Sequence, residues 1–192
     1  MVIRAEKQNL NTTNKLEQLD FQRELVERCI KGERTAQYNL YRMYSKGMYN
    51  ICLRMLNDTM EAEDTLQESF IDVYNKLHTF KYESTPGAWI KRIVVNNCIN
   101  KLRKRRLIIE DIDEGRYVAN EEVKLKDTSL EVINIKKAMS KLPDGYRAIF
   151  SLYAIEGYDH QEIGQIMNIS ESTSKSQYSR AKKKIRELLS AY

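Results

Sequence analysis

From Phe21 onward the chain places apolar residues at the three- and four-residue spacing of helices. Phe21, Leu25 and Cys29 form one such set, and beyond Gly32 a second runs through Leu40, Tyr44, Met48, Ile51, Cys52 and Met55. Two packed helices are predicted. A third is predicted over about 61–77, with Ala62, Leu66, Phe70, Val73 and Leu77 on one stripe. A fourth opens near Pro86, where Thr85 can cap the free amides and the fixed φ of proline suits the first helical position, and it continues to about Arg106.

The periodicity stops between Leu107 and Asp127, where seven acidic residues meet three basic ones. That stretch reads as an acidic linker. Beyond it Thr128 and Glu131 have capping-box spacing, followed by Val132, Ile135, Met139 and Leu142, and Pro143 ends the helix. Another helix spans roughly Gly145–Ile155, before a turn at Gly157. Asp159 and Glu162 form a second capping box, starting a short helix that ends near Met167. The helix from about Ser170 then keeps Tyr178, Ala181, Ile185 and Leu188 on one face. A short helix, a three-residue turn and a longer basic helix make the layout of a helix-turn-helix.

Two prolines, seven glycines and almost no period-two alternation in 192 residues favour long helices over sheets. The fold class expected is all-α, with two small helical domains joined by a flexible acidic linker. Residues 1–20 would be a polar, flexible tail, 21–106 the first domain, 107–127 the linker and 128–192 the second domain. Cys29, Cys52 and Cys98 are odd in number and set in helical patterns, so they read as buried thiols and not as a disulfide framework or zinc site. The polar start carries no apolar core of signal-peptide length, and no run approaches the roughly 20 apolar residues of a membrane span, so a cytoplasmic protein without membrane insertion is expected.

The net charge of +5 is small, yet it is very unevenly placed. On a helical wheel the fourth helix turns Ile90, Val94, Val95, Cys98, Ile99 and Leu102 to one side. Trp89, Arg92, Asn96, Asn97, Asn100, Arg103 and Lys104 gather on the other. Guanidinium groups grip phosphates, amides can reach base edges, and an indole offers a plane for an unstacked base. The run Lys101-Leu102-Arg103-Lys104-Arg105-Arg106 adds a cation density that a polyanion would relieve.

The third helix carries the opposite sign. Asp64, Glu68 and Asp72 recur at spacings of four beside Gln67, a repulsion that a basic protein partner would remove. A solvated acidic face and a carboxylate metal site are the competing readings, the second weakened by the lack of a supporting histidine. In the last helix Ser172, Thr173, Lys175, Ser176, Ser179, Arg180 and Lys183 lie off the apolar stripe, where short hydroxyls permit close approach to a major groove and cations anchor the backbone. His78 and His160 have no catalytic or metal-ligand pattern around them, and neither an enzyme activity, a cofactor nor a small-molecule substrate is expected.

Three stretches resemble the sigma-70 family of RNA polymerase sigma factors, in its extracytoplasmic-function group. Glu61-Ala-Glu-Asp-Thr-Leu-Gln-Glu-Ser-Phe-Ile-Asp-Val-Tyr74 is similar to the core-binding helix of sigma region 2, and the likeness implies that Asp64, Gln67 and Glu68 face the β′ coiled-coil of the polymerase. Trp89-Ile-Lys-Arg-Ile-Val-Val-Asn96, with Asn100, Leu102 and Arg103, resembles the minus-ten segment, and by the same likeness Tyr82 joins a loop that holds a flipped base. Leu142-Pro143 through Arg147, Glu156 through Ile163 and Ile169 through Ala181 look like region 4, the reader of the minus-thirty-five element. This sequence departs from the family at Val95, often basic there, at Asn100, often aspartate, at Ser174, usually small and apolar, and at Asn168, usually glycine.

The resemblance implies an alternative sigma factor that binds the β and β′ subunits of core polymerase and promoter DNA, under control of an anti-sigma factor. It also implies that the acidic linker competes with nucleic acid in the polymerase channel, the other reading being a soluble tether. The alternatives are a helix-turn-helix transcriptional activator with an N-terminal helical sensing or dimerisation domain, and a DNA-acting enzyme such as a recombinase. The activator would leave the Trp89 face and the basic run without a role.

Overall fold

A computed structural model describes residues 20–110 and 130–190. All regular structure among them is helical, as the sequence predicts. In chain order the elements are α1 (20–30), α2 (Arg34–Leu56), α3 (Thr59–Lys76), a 3-10 turn (Leu77–Thr79) and α4 (Pro86–Glu110). After residues outside the described set come α5 (Leu130–Ser140), α6 (Asp144–Phe150), a π turn (Ser151–Ile155), α7 (His160–Met167) and α8 (Glu171–Leu189).

The expected tail, apart from Asp20, and positions 111–127 of the expected linker lie outside the described residues, as does Thr128 of the first capping box. Helix α4 runs four residues beyond the Arg106 end expected for it, because Leu107, Ile108 and Ile109 carry no helix-breaking residue.

The helix ends follow local chemistry. Asp58 accepts the amide of Glu61 at 2.9 Å to start α3, and Thr85 accepts that of Ala88 at 3.2 Å to start α4. Asp159 and Glu162 form the predicted capping box, with both reciprocal bonds present. Asn57 closes α2 and Asn168 closes α7 in left-handed conformation, each at φ 55°, which asparagine tolerates better than most residues.

Helices α1 to α4 bury Leu25, Val26, Leu40, Cys52, Leu56, Leu66, Phe70, Val73, Val94 and Cys98 in one core. The three thiols are free and buried. A smaller core joins Ala138 and Met139 of α5 to Leu142 and to Ala181 and Ile185 of α8. Val132 and Ile135, which share the helical spacing of Met139 and Leu142, are each 39% exposed, whereas Met139 and Leu142 are buried with residues of α8.

Ala148, Ile149, Leu152 and Ile163 of the C-terminal half pack into the larger core. Helix α6 lies on α2, and α7 meets α4. At this junction Arg147, only 4% exposed, donates from Nε to Met55 O at 3.2 Å and from Nη1 to Leu142 O at 2.7 Å, and pairs with Asp144. Burial pulls its guanidinium below the ordinary value, while Asp144 works the other way.

Within the helix-turn-helix Gly164 is required by closeness. A Cβ there would stand 2.9 Å from the backbone oxygen of Ile169, which cannot rotate aside. Gly164→Ala should therefore lose about 1–3 kcal/mol to overpacking, outweighing the about 1 kcal/mol that alanine contributes within a helix. Urea unfolding monitored by circular dichroism checks it; equal or greater stability in the variant would show that the turn yields.

Candidate nucleic-acid interface

Helix α4 presents the two faces its sequence predicts. Ile90, Val94, Val95, Cys98 and Ile99 are buried, while Arg92, Asn96, Asn100, Arg103 and Lys104 are exposed. Trp89 is half-buried, its ring 5.4 Å from that of Phe80. Phe80 in turn lies 4.8 Å from Tyr82, and the guanidinium of Arg23 sits over the Tyr82 ring at 5.1 Å. Tyr82 holds a φ of 59°, an unusual conformation for a bulky aromatic, and is kept there between Phe80 and Arg23. The loop before α4 is thus a short aromatic ladder leading to Trp89.

Asn97 is turned elsewhere. Its amide donates to Ser69 Oγ at 3.2 Å and to Asp72 Oδ2 at 3.1 Å, tying α4 to α3. That hydrogen bond holds the Asp72 carboxyl below its ordinary value, against burial and with help from Lys76 at 3.1 Å. Both side chains grouped with the binding surfaces by the sequence pattern are therefore engaged with each other. Glu68 lines the same cleft of about 320 Å3, opposite Asn100, Lys101 and Lys104. Asp64, Gln67 and Glu68 remain exposed on the outer side of α3, and among the described residues no group of three or more acidic, histidine or cysteine side chains could hold a metal ion.

The basic run divides. Lys104 and Arg103 are exposed, Arg103 also donating from Nη2 to Ile166 O of α7 at 3.0 Å, whereas Arg105 bonds Leu56 O at 3.2 Å and Asp144 at 3.0 Å and also pairs with Glu61. Burial works against its charge, but Glu61 and Asp144 more than offset that and hold its guanidinium above the ordinary value. Arg105 thus belongs to the junction of the two halves and not to an outward polyanion surface.

On α8 Ser172, Lys175, Ser176, Ser179, Arg180 and Lys183 are exposed along one side, and Thr173 is half-buried. Ser170 caps the helix by accepting the Thr173 amide at 3.0 Å, and Lys175 pairs with Glu171 at 2.6 Å. Ser174 is buried, as an inward-packing position requires, with its hydroxyl 3.0 Å from His160 Nδ1. The His160 ring stacks on Tyr153 at 4.3 Å, and Tyr153 meets Tyr178 at 4.5 Å. These rings brace the two helices of the motif at their opening end.

Sequence reasoning passed over Lys91 and Glu156. Lys91 falls on the apolar arc of α4, with Cys98 and Leu102, and a lysine on that arc calls for a carboxylate partner. Its Nζ stands 3.6 Å from Glu156 Oε2, donates to Glu156 O at 3.0 Å and lies 5.2 Å from the Tyr158 ring centroid. Together these residues and Trp89, Arg92 and Lys81 line a cleft of about 610 Å3 between the two halves.

Residues 40–108 match the description of sigma-70 region 2, and residues 133–185 that of sigma-70 region 4. The chain is 30% identical to the extracytoplasmic-function sigma factor SigW of Bacillus subtilis (strain 168), over 85% of this chain and 94% of that one. It is 32% identical to SigM of the same organism, covering 78% of this chain and 92% of the relative. The sigma factor RpoE of Bartonella quintana, solved with the anti-sigma factor NepR, shares its fold with a TM-score of 0.61 at 23% identity, covering 78% and 94% of the two chains. CnrH, solved with the cytosolic domain of CnrY, gives 0.54 at 20% identity over 88% and 97%. Two regional matches in the order of the helices, and relatives of nearly the same length, establish that the chain belongs to the extracytoplasmic-function sigma factors of the sigma-70 family.

Proposed function

We propose that this alternative sigma factor divides its work among three helices. The outer face of α3, with Asp64, Gln67 and Glu68, docks on core RNA polymerase at its β′ subunit, with further contacts to β. Asp72 steadies that face from within, through Asn97. The Tyr82 loop and the α4 residues Trp89, Arg92, Asn96, Asn100, Arg103 and Lys104 bind the opened minus-ten element. The exposed side of α8, from Ser172 to Lys183, reads the minus-thirty-five element. On this reading 21–106 and 128–192 are the two functional units, joined by the acidic stretch.

The observation that supports it best is the segregation of sign and shape. Three exposed polar and acidic side chains stand on α3, while exposed amides and cations follow an aromatic ladder on α4. Proteins meet acidic helices through basic surfaces, whereas unpaired bases are held by stacking and phosphates by guanidinium and ammonium groups. The same reading makes the protein one that acts by binding alone, without catalysis, in the cytoplasm where the polymerase works. Among the described residues no helix is long and apolar enough to cross a membrane. RpoE was solved with the anti-sigma factor NepR, and an anti-sigma factor is proposed as a partner here too.

Adding the purified chain to sigma-free core polymerase should produce promoter-dependent RNA from a library of host templates. Absence of initiation across the whole library would overturn the function. Glu68→Lys should abolish co-purification with core polymerase while leaving the circular dichroism spectrum intact; undiminished retention would remove α3 from the docking surface. Arg180→Ala should weaken upstream promoter contact and lower the slope of log affinity against log salt by about one unit, as loss of one phosphate contact does. An unaltered slope would take Arg180 out of the interface.

A further inference from the structure

The loop between the 3-10 turn and α4 holds one residue whose backbone conformation is at odds with its side chain. Tyr82 stands at φ 59°, and for residues with a Cβ the left-handed region is disfavoured about five- to thirtyfold. Its neighbours Lys81, Glu83 and Ser84 line the cleft of about 610 Å3 together with Trp89 and Arg92. The Tyr82 ring lies elsewhere, packed on Phe80 at 4.8 Å and under the guanidinium of Arg23 at 5.1 Å. Arg23 belongs to α1, and Glu27, one turn on, accepts from its Nε at 3.3 Å. With side chains 65% and 51% exposed, that ion pair contributes little to stability, but it directs the guanidinium.

A cation over an exposed aromatic face favours the arrangement about two- to fivefold, and an aromatic pair such as Tyr82 with Phe80 does so about two- to twelvefold. Either contact alone falls short of the backbone bias over most of that range. The two together match it. We infer that Arg23 is a positioning residue for the minus-ten loop: by covering the Tyr82 ring from α1 it holds Tyr82 left-handed, and so keeps Lys81, Glu83 and Ser84 at the rim of the cleft beside Trp89.

The consequence for DNA rests on the assignment of this loop and α4 to the minus-ten element made above, whereas the hold on the loop rests only on the contacts. Arg23 itself touches no DNA in this scheme. Its replacement spares the core, because Leu25, Val26 and Cys29 form the buried side of α1, and glutamine keeps the helix propensity of arginine.

Trp89 is the single tryptophan of the chain, so its fluorescence reports on the cleft. In the free full chain Arg23→Gln should raise the acrylamide quenching of Trp89 and move its emission to longer wavelength, with the unfolding temperature unchanged. The same substitution in a Tyr82→Gly chain should alter neither signal, since glycine takes a positive φ unaided and leaves no ring to cover. Arg23→Lys retains a cation and should restore much of the parent's signal. Core polymerase carrying each variant, on a template from which the parent chain initiates, gives the functional readout, with permanganate-reactive thymines reporting the rate of strand opening. Arg23→Gln should slow opening at saturating polymerase about two- to fivefold and leave the half-saturating concentration as it was, again only where Tyr82 is present.

Trp89 quenching that keeps the parent's value in folded Arg23→Gln, or that rises equally in the Tyr82→Gly chain, removes Arg23 as the holder of Tyr82. A higher half-saturating concentration with unchanged opening at saturation makes Arg23 a contact of initial binding and defeats the positioning role. If quenching responds but opening does not, Trp89→Ala separates two failures. Slower opening in that variant leaves the DNA role of the loop standing and strikes only the part given to Arg23. Unchanged opening there strikes the assignment of the loop to the minus-ten element, and the consequence for DNA falls with it.

Discussion

The end of α2 is where the molecule is joined, and two guanidinium groups make the join. A helix leaves its last carbonyls without amide partners, and here Met55 O and Leu56 O are taken by Arg147 of α6 and Arg105 of α4. Asp144 lies between the two arginines and pairs with both, and Glu61 pairs with Arg105 from the first turn of α3. Buried cations persist only when paired and fully bonded, so the positions of α3, α4 and α6 around the end of α2 are set together.

From that junction the rest follows. Ile149 and Leu152 are carried into the apolar interior beside α2, and the π turn then swings Glu156 onto Arg54 and Lys91. Helices α7 and α8 continue outward, with the exposed side of α8 left to solvent. The acidic face of α3 stays open as well. Surfaces of opposite charge are thereby kept apart on elements that share one core, which lets a small protein present one face to a protein partner and others to a template.

The constraint also explains where two familiar residue types are used differently in one helix. Arg103 and Arg105 are separated by two positions in a dense basic run, yet the first stays exposed, with one hydrogen bond to Ile166 O, and the second is half-buried against the end of α2. Asn96 and Asn97 are adjacent, yet only the second crosses to α3, where it orders Asp72. A helix turns successive side chains by about 100°, so neighbours in a run of like residues meet different surroundings.

The helices themselves were legible because their signals are local: apolar stripes, the cap at Thr85, the box at Asp159 and Glu162, and a left-handed asparagine at the turn all depend on residues within a few positions of one another. The segregation of charge between α3, α4 and α8 was legible for the same reason, since each face is written within one helix. The exposure of Val132 and Ile135, the inward turn of Arg105 and Asn97, and the pairing of Glu156 with Lys91 and Arg54 depended on which helix lies opposite which. Partners 65 or 102 residues apart in the chain, as these last ones are, leave no periodic trace in it. The sequence by itself determined the elements and the chemistry on each face; only the packing of one half on the other decided which charged groups face outward and which hold the molecule together.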